Sequence, residues 1–169
     1  GMRVGETTIL KWEPDTDDVG TGHSYSYTYL SKDMKSIHVH FKRRSRVIPV
    51  EHLQEMFKKI PKTYTRKVDG EVVRFKKKYV FENELTGNPH QTGTVSNLWR
   101  KLSEDLNWDN RWTIHSLRHG FTSYLLNHGQ NLFTVSQILG HSTLEMMDIY
   151  GHTTVEDMKD SFKSLPKPK

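Results

Sequence analysis

Tyr150 lies nine residues after His141 in the run Leu139-Gly140-His141-Ser142, and His115-Ser116-Leu117-Arg118-His119 stands further upstream. A tyrosine, two histidines and an arginine in this order have the makings of a phosphodiester-cleaving site. Attack on a DNA phosphate builds negative charge on the non-bridging oxygens, and preorganised cations answer that charge in the transition state. Guanidinium groups suit the task because a planar fork grips two oxygens, and two guanidiniums can cradle one phosphate. Arg118 and Arg3 are the candidate pair. His115 and His141 would supply hydrogen bonds or proton transfer, and Tyr150 the nucleophile. Lys42, near the tip of an expected hairpin, is the candidate to protonate the departing 5′ oxygen. His115 and His119, four apart on a helix, invite a zinc reading, but the glutamate of the protease-type motif is missing and no third ligand is indicated. The arrangement needs neither a metal nor a cofactor.

Positioning these groups requires elements whose signals are uneven along the chain. Val4, Ile9, Leu10 and Trp12 give a weak helical pattern from Met2 to about Trp12, ending at Pro14-Asp15, with Arg3 near its start. Ser24 to Tyr29 alternates strictly and puts three tyrosines on one face of a strand. Ile37, Val39 and Phe41 alternate likewise, and a basic turn at Arg43-Arg44-Ser45 leads to Arg46-Val47-Ile48-Pro49. Together these read as a small antiparallel sheet, with Pro49 closing the last strand or lying on its edge. Leu53, Met56, Phe57 and Ile60 return to helical spacing. Val68-Asp69-Gly70-Glu71-Val72 suggests a hairpin turn, Tyr79-Val80-Phe81 a short buried strand, and Thr86 to Pro89 a loop.

From Thr94 the pattern is helical. Val95, Leu98, Leu102 and Leu106 form one apolar stripe and Leu117, Phe121, Tyr124 and Leu125 another, both expected in the core. Trp99, Trp108 and Trp112 are expected as core or interface anchors. Gly129 should stop the second helix. Thr134-Val135-Ser136-Gln137 reads as a capping box opening a short helix that Gly140 closes, and Ser142-Thr143-Leu144-Glu145 as another. His141 is then expected in a tight turn and Tyr150 at the end of a short helix, before a last helix carrying Val155, Met158 and Phe162. The fold class expected is α+β, mainly α-helical with a small antiparallel sheet.

At 169 residues the chain reads as one domain with its own core. Lys+Arg 25 against Asp+Glu 20, with a pI near 9.3, favours polyanionic partners. The charge is polarised. Nine basic residues between Lys58 and Lys78 face only Asp69 and Glu71. Zero cysteines remove disulfides, thiolate metal sites and cysteine nucleophiles together. No apolar run approaches the roughly 20 residues of a membrane span, and no signal-peptide pattern opens the chain. A soluble, cytoplasmic, DNA-associated protein is expected.

In this order and spacing the residues resemble the catalytic domain of the tyrosine recombinases, the phage-integrase family. The matching pieces are Gly1-Met2-Arg3-Val4-Gly5-Glu6 with Leu10-Lys11-Trp12, His115-Ser116-Leu117-Arg118-His119, and Leu139-Gly140-His141 followed by Tyr150. The resemblance implies Arg3 and Arg118 as the arginine pair, His115 and His141 as the histidines, Lys42 as the hairpin lysine and Tyr150 as nucleophile of a 3′-phosphotyrosyl intermediate. It further implies double-stranded DNA as substrate, a homo-oligomer assembled as a tetramer on that DNA, and service to a mobile element. Residues 1–169 would be the catalytic domain, a fragment without the family's N-terminal DNA-binding domain. Two other functions fit the same residues: a non-catalytic DNA-binding module of this fold, and relaxation of supercoils in the manner of a type IB topoisomerase. The lysine-rich segment before His115 departs from the family's usual pattern.

Overall fold

Alternating apolar and polar residues build the sheet on which the first half of the chain is organised. The computed structural model describes residues 1–15, 26–41, 44–109 and 111–140. Strands β2 (Tyr27–Leu30), β3 (Ser36–Phe41) and β4 (Arg44–Pro49) form an antiparallel meander, and the two-residue β1 (Leu10–Lys11) joins β2 in parallel, giving the order β1-β2-β3-β4. The sheet is therefore mixed rather than purely antiparallel. Pro49 ends β4 on an edge of the sheet, where its missing N–H costs no ladder bond.

The period of two sends Thr28, Leu30, Ile37 and Val39 inward, each nearly inaccessible. They pack with Leu10, Trp12, Val50, Phe57 and Val80 into the main core. The opposite face carries a ladder of rings: Tyr27 stacks on His40 at 4.9 Å and Tyr29 on His38 at 4.6 Å. Two of the three tyrosines expected on one face are thus side by side; Tyr25 lies outside the described residues.

The opening helix is much shorter than its sequence pattern suggested. Helix α1 spans only Val4–Thr8, and Leu10 and Trp12 serve the sheet and its core instead. The apolar positions that looked like a second helical turn are alternating core contacts of an extended segment, a distinction that five or six residues cannot make. Helix α2 (Gln54–Lys59) follows a 3₁₀ turn and buries Phe57, while Met56 stays exposed.

Strands β5 (Thr63–Val68) and β6 (Glu71–Lys76) form a two-stranded ribbon around Asp69 and Gly70, both at positive φ, which matches the twist of a tight hairpin. Tyr79-Val80-Phe81 is not a strand. Tyr79 makes a single bridge to Lys11, Val80 is buried, and Phe81 turns outward. A second small ribbon, β7 (Glu82–Asn83) with β8 (Asn88–Pro89), encloses the expected loop.

Helices α3 (Thr92–Asp105), α4 (Ile114–Asn127) and α5 (Leu132–Leu139) complete the described part. Gly129 follows α4 and Gly140 caps α5, both at positive φ. Asn131, not the Thr134 box, opens α5: its side chain accepts the Phe133 N–H at 2.7 Å. The expected core stripe on α3 fails too, since Leu98, Leu102 and Leu106 are exposed, as are Leu117 and Tyr124 on α4. Periodicity reveals which residues share a helix face and not what covers that face. Trp108 and Trp112 are likewise exposed, with Trp99 Nε1 donating to Trp112 O at 2.8 Å. A second core forms where Phe121, Leu125, Leu126 and Leu132 pack on Val135 and Leu139.

Candidate active site

Arg3 stands at the N-cap of α1, where its backbone N–H donates to Glu6 Oε2 at 2.8 Å. Its guanidinium lies 3.4 Å from Glu6 Oε1 with about a third of the side chain exposed (36%), so it is held loosely from below and reachable from outside. Glu6 is completely buried. Its principal partner is Arg46 on β4, whose Nη2 donates to Glu6 Oε2 at 2.7 Å. Burial by itself pushes the Glu6 carboxyl up; the Arg46 hydrogen bond, the Arg3 N–H and the charges of Arg46 and Arg3 together outweigh burial and hold it below the usual carboxylate range. Glu6 is therefore an anion fixed between two arginines.

Arg46 also donates from Nε to Ile138 O at 2.8 Å, which ties the C-terminal turn of α5 to the sheet edge. Gly140 closes the contact. The residue holds φ +68, which favours glycine, and a Cβ there would sit 2.6 Å from Arg46 Nη1 and push that guanidinium aside. The chain is thus delivered to position 140 in a fixed attitude.

Arg118 is buried at the second helical turn of α4. Its two terminal nitrogens donate to Gly1 O at 2.5 Å and to Leu139 O at 2.7 Å, linking the segment before α1 to the end of α5. Gly1 is packed so closely that a Cβ would lie 2.5 Å from the Phe121 ring. Three residues before Arg118, His115 is exposed, and its ring packs edge-on against His119 at 4.9 Å. Its pKa is lowered by desolvation first, then by the charges of His119, Arg118 and Arg3. The charges of Arg118, on the same helix, and of Arg3, more than a hundred residues away in the sequence, are thus lesser contributions beside desolvation.

Of the six residues singled out from the sequence, His115 and Arg118 share α4, and the Arg118 bond to Gly1 O brings that helix to the segment that carries Arg3. Lys42, His141 and Tyr150 lie outside the described residues. Chemically these residues offer two guanidiniums and an imidazole whose charged form is disfavoured, a combination suited to a phosphodiester rather than to a cation. Among the described residues no three histidine, aspartate or glutamate side chains are grouped to hold a metal. No helix of the described residues is long and apolar enough to cross a membrane.

The family model for phage integrases matches residues 1–157. The chain belongs to the phage integrase family. The tyrosine recombinase XerC of Pediococcus pentosaceus is 30% identical over 167 residues, covering 96% of this chain and 49% of its own length. XerC of Pelotomaculum thermopropionicum is 28% identical over 176 residues, covering 100% of this chain and 51% of its own. The chain thus spans about half the length of these curated relatives. Among solved structures, the XerA recombinase superposes with a TM-score of 0.55 at 21% identity, over 99% of this chain and 53% of that one. The Tn1549 transposon integrase in complex with circular intermediate DNA reaches 0.65 at 17% identity, over 97% and 56%. At these identities the structures establish the fold, an integrase-type α+β catalytic fold.

Within this integrase domain the residues missed from sequence are Glu6 and Arg46. Forty residues separate them, and neither falls in a spacing pattern that signals a pair. The only hint was local: a glutamate three residues after Arg3, as a helix N-terminus prefers.

Proposed function

We propose that residues 1–169 are the catalytic domain of a site-specific DNA recombinase that cuts and rejoins DNA strands through Tyr150. In the reaction envisaged, the Tyr150 oxygen attacks the scissile phosphorus, the bond from phosphorus to O5′ breaks, and the departing O5′ takes a proton from Lys42. Arg3 and Arg118 bind the non-bridging oxygens and stabilise the charge that grows on them. His115 and His141 orient the phosphate by hydrogen bonds and shuttle the tyrosine proton. The 3′-phosphotyrosyl link conserves the bond energy, so a hydroxyl from a partner strand reverses the step without ATP.

The observation that carries this reading is the hydrogen bond from Arg118, one turn from His115 on α4, to Gly1 O, two residues before Arg3, in a chain of the phage integrase family. Two cations from distant elements are costly to place together unless an anion is to be held, because their mutual repulsion favours separation. The buried Glu6 carboxylate offsets the charges of Arg3 and Arg46 while leaving the Arg3 side chain partly open. Duplex DNA is the proposed substrate, integration or excision of a mobile element the proposed role, and a tetramer on DNA the proposed assembly, acting in the cytoplasm.

The test is a suicide duplex with a nick that lets the cleaved 5′ fragment diffuse away. A covalent protein–DNA complex that survives denaturant and vanishes in Tyr150→Phe supports the proposal. Binding without any adduct from the full-length protein favours a DNA-binding module instead, and supercoil relaxation without strand exchange favours topoisomerase-like release.

A further inference from the structure

The ribbon β5–β6 has two unlike faces. Residues directly opposite one another in an antiparallel pair share a face, so Tyr64 and Phe75, Arg66 and Val73, and Val68 and Glu71 lie on one side. Thr63 and Lys76, Thr65 and Arg74, and Lys67 and Val72 lie on the other. Near its foot the first face is turned toward the protein, while Val68, Glu71 and Val73 further along it are exposed. Tyr64 stacks on Phe75 at 5.4 Å, Arg66 covers the Phe75 ring at 5.0 Å, and Arg66 Nη1 donates to Leu85 O at 2.6 Å. The second face looks outward: Thr65, Lys67, Val72, Arg74 and Lys76 are all exposed.

The outward face holds three cations and no carboxylate. Of the ribbon's own acidic groups Asp69 lies in the turn and Glu71 on the other face; at the foot Asp15 pairs with Lys78 at 2.7 Å and Glu84 with the buried Lys77 at 2.6 Å. Lys76 reaches Glu13 at 3.5 Å, but both side chains are about 70% exposed, so that pair is weak and easily exchanged for another anion. Lys67 and Arg74 have no carboxylate partner among the described residues, and Arg74 spends its Nε and Nη2 on Thr63 Oγ1. An isolated two-stranded ribbon is marginal in water. This one is braced from behind and at its foot, where Lys77 N donates to Lys62 O and Trp12 N to Lys78 O along the free side of β1. It is a ribbon anchored at its foot, with Lys67, Arg74 and Lys76 on its outward face.

We propose that the outward face of β5–β6 is a duplex-DNA contact separate from the Arg3–Arg118 cluster, with Lys67, Arg74 and Lys76 on backbone phosphates and Thr63 and Thr65 beside them. The proposal rests on the reading of this chain as a DNA-acting enzyme and adds a surface to it. A two-stranded ribbon has the width that the DNA major groove admits. Arg74 and Lys76, two residues apart on one strand, are spaced by ~7 Å, which lets each take its own phosphate. The ribbon is rooted on the β1 side of the sheet, at the other edge from β4 and Arg46. It therefore extends the footprint rather than crowding the scissile linkage.

The experiment measures binding of the whole protein to a fluorescein-labelled, mixed-sequence DNA duplex across a salt series. It compares wild type with the triple variant Lys67→Gln, Arg74→Gln, Lys76→Gln, and with a control, Lys58→Gln, Lys59→Gln, on α2. Each phosphate contact adds about 0.9 to the slope of log K against log salt, so the ribbon variant should lose about 2.7 from the slope. Between about 50 and about 200 mM salt, wild-type affinity would then fall about forty-fold more than that of the variant. The control should keep the wild-type slope, and hydroxyl-radical footprinting should lose protection on the DNA flank only in the triple variant. A steep wild-type plot with the same slope in the ribbon variant overturns this proposal and leaves the recombinase reading standing. A flat wild-type plot overturns both.

Discussion

Replacing Arg46 by methionine should unfold this domain at a markedly lower temperature and reverse the sign of part of its pH dependence. Glu6 is fully inaccessible to solvent, and Arg46 is its shorter ion-pair partner, 2.7 Å against 3.4 Å for Arg3. Methionine keeps the apolar stem but strands the carboxylate and also the Ile138 carbonyl that Arg46 Nε satisfies. Breaking a buried pair by removing one partner costs about 3–5 kcal/mol. For a chain of this size each kcal/mol lowers Tm by about 2–4 °C, so melting should fall by about 6–20 °C. The sign of the pH effect follows from the carboxyl. In wild type the folded-state pKa is depressed, so Glu6 contributes stability above its unfolded pKa of about 4.3, and that contribution is lost as pH falls through the lower folded value. Without Arg46, burial, the largest influence on this carboxyl, is opposed by Arg3 alone. The folded pKa then rises above the unfolded one, and the contribution is present at low pH and lost as pH climbs through the raised value. Thermal melts by circular dichroism from pH 4 to pH 7 read both effects. In the double variant Glu6→Gln, Arg46→Met the extra pH slope should vanish and part of the lost stability return. A Tm drop under about 2 °C, or parallel pH slopes for wild type and Arg46→Met, would refute the buried-pair argument.

Arg3→Lys should leave Tm nearly unchanged, because its ion pair is partly solvated, yet slow adduct formation on the suicide duplex by about 100–1000-fold; a rate within tenfold removes Arg3 from the phosphate site. His115, whose pKa is lowered by desolvation and by His119, Arg118 and Arg3, should titrate below the usual histidine value in NMR. It should move upward when Tyr150→Phe protein binds duplex, since a phosphate offsets the arginine charges; an unmoved resonance means no phosphate arrives there. Gly140→Ala should destabilise the fold by at least about 1–3 kcal/mol through positive φ and contact with Arg46, and a variant that denatures like wild type in urea would show that neither constraint binds.

Much of this protein was written in its local sequence. The alternation at Ile37 and Val39 specifies a half-buried strand, Asp69-Gly70 a tight hairpin and Gly140 a helix stop, since each depends on residue type and immediate neighbours. The family was also legible, because the segments around Arg3, His115 and Arg118 resemble it and the phage integrase model matches residues 1–157. Tertiary structure alone decided what those groups lean on. Glu6 meets Arg46 across forty positions, and Arg118 meets Gly1 across more than a hundred, contacts that exist only once sheet and helices have docked. Leu10 joined a sheet and Trp12 the core beneath it instead of prolonging α1, because burial against Val80 and Phe57 outweighs a weak helical preference over so few residues. The apolar stripe of α3 stayed exposed for the complementary reason. A sequence can mark one face of a helix as apolar, but which surface meets it is set by the packing of the whole molecule.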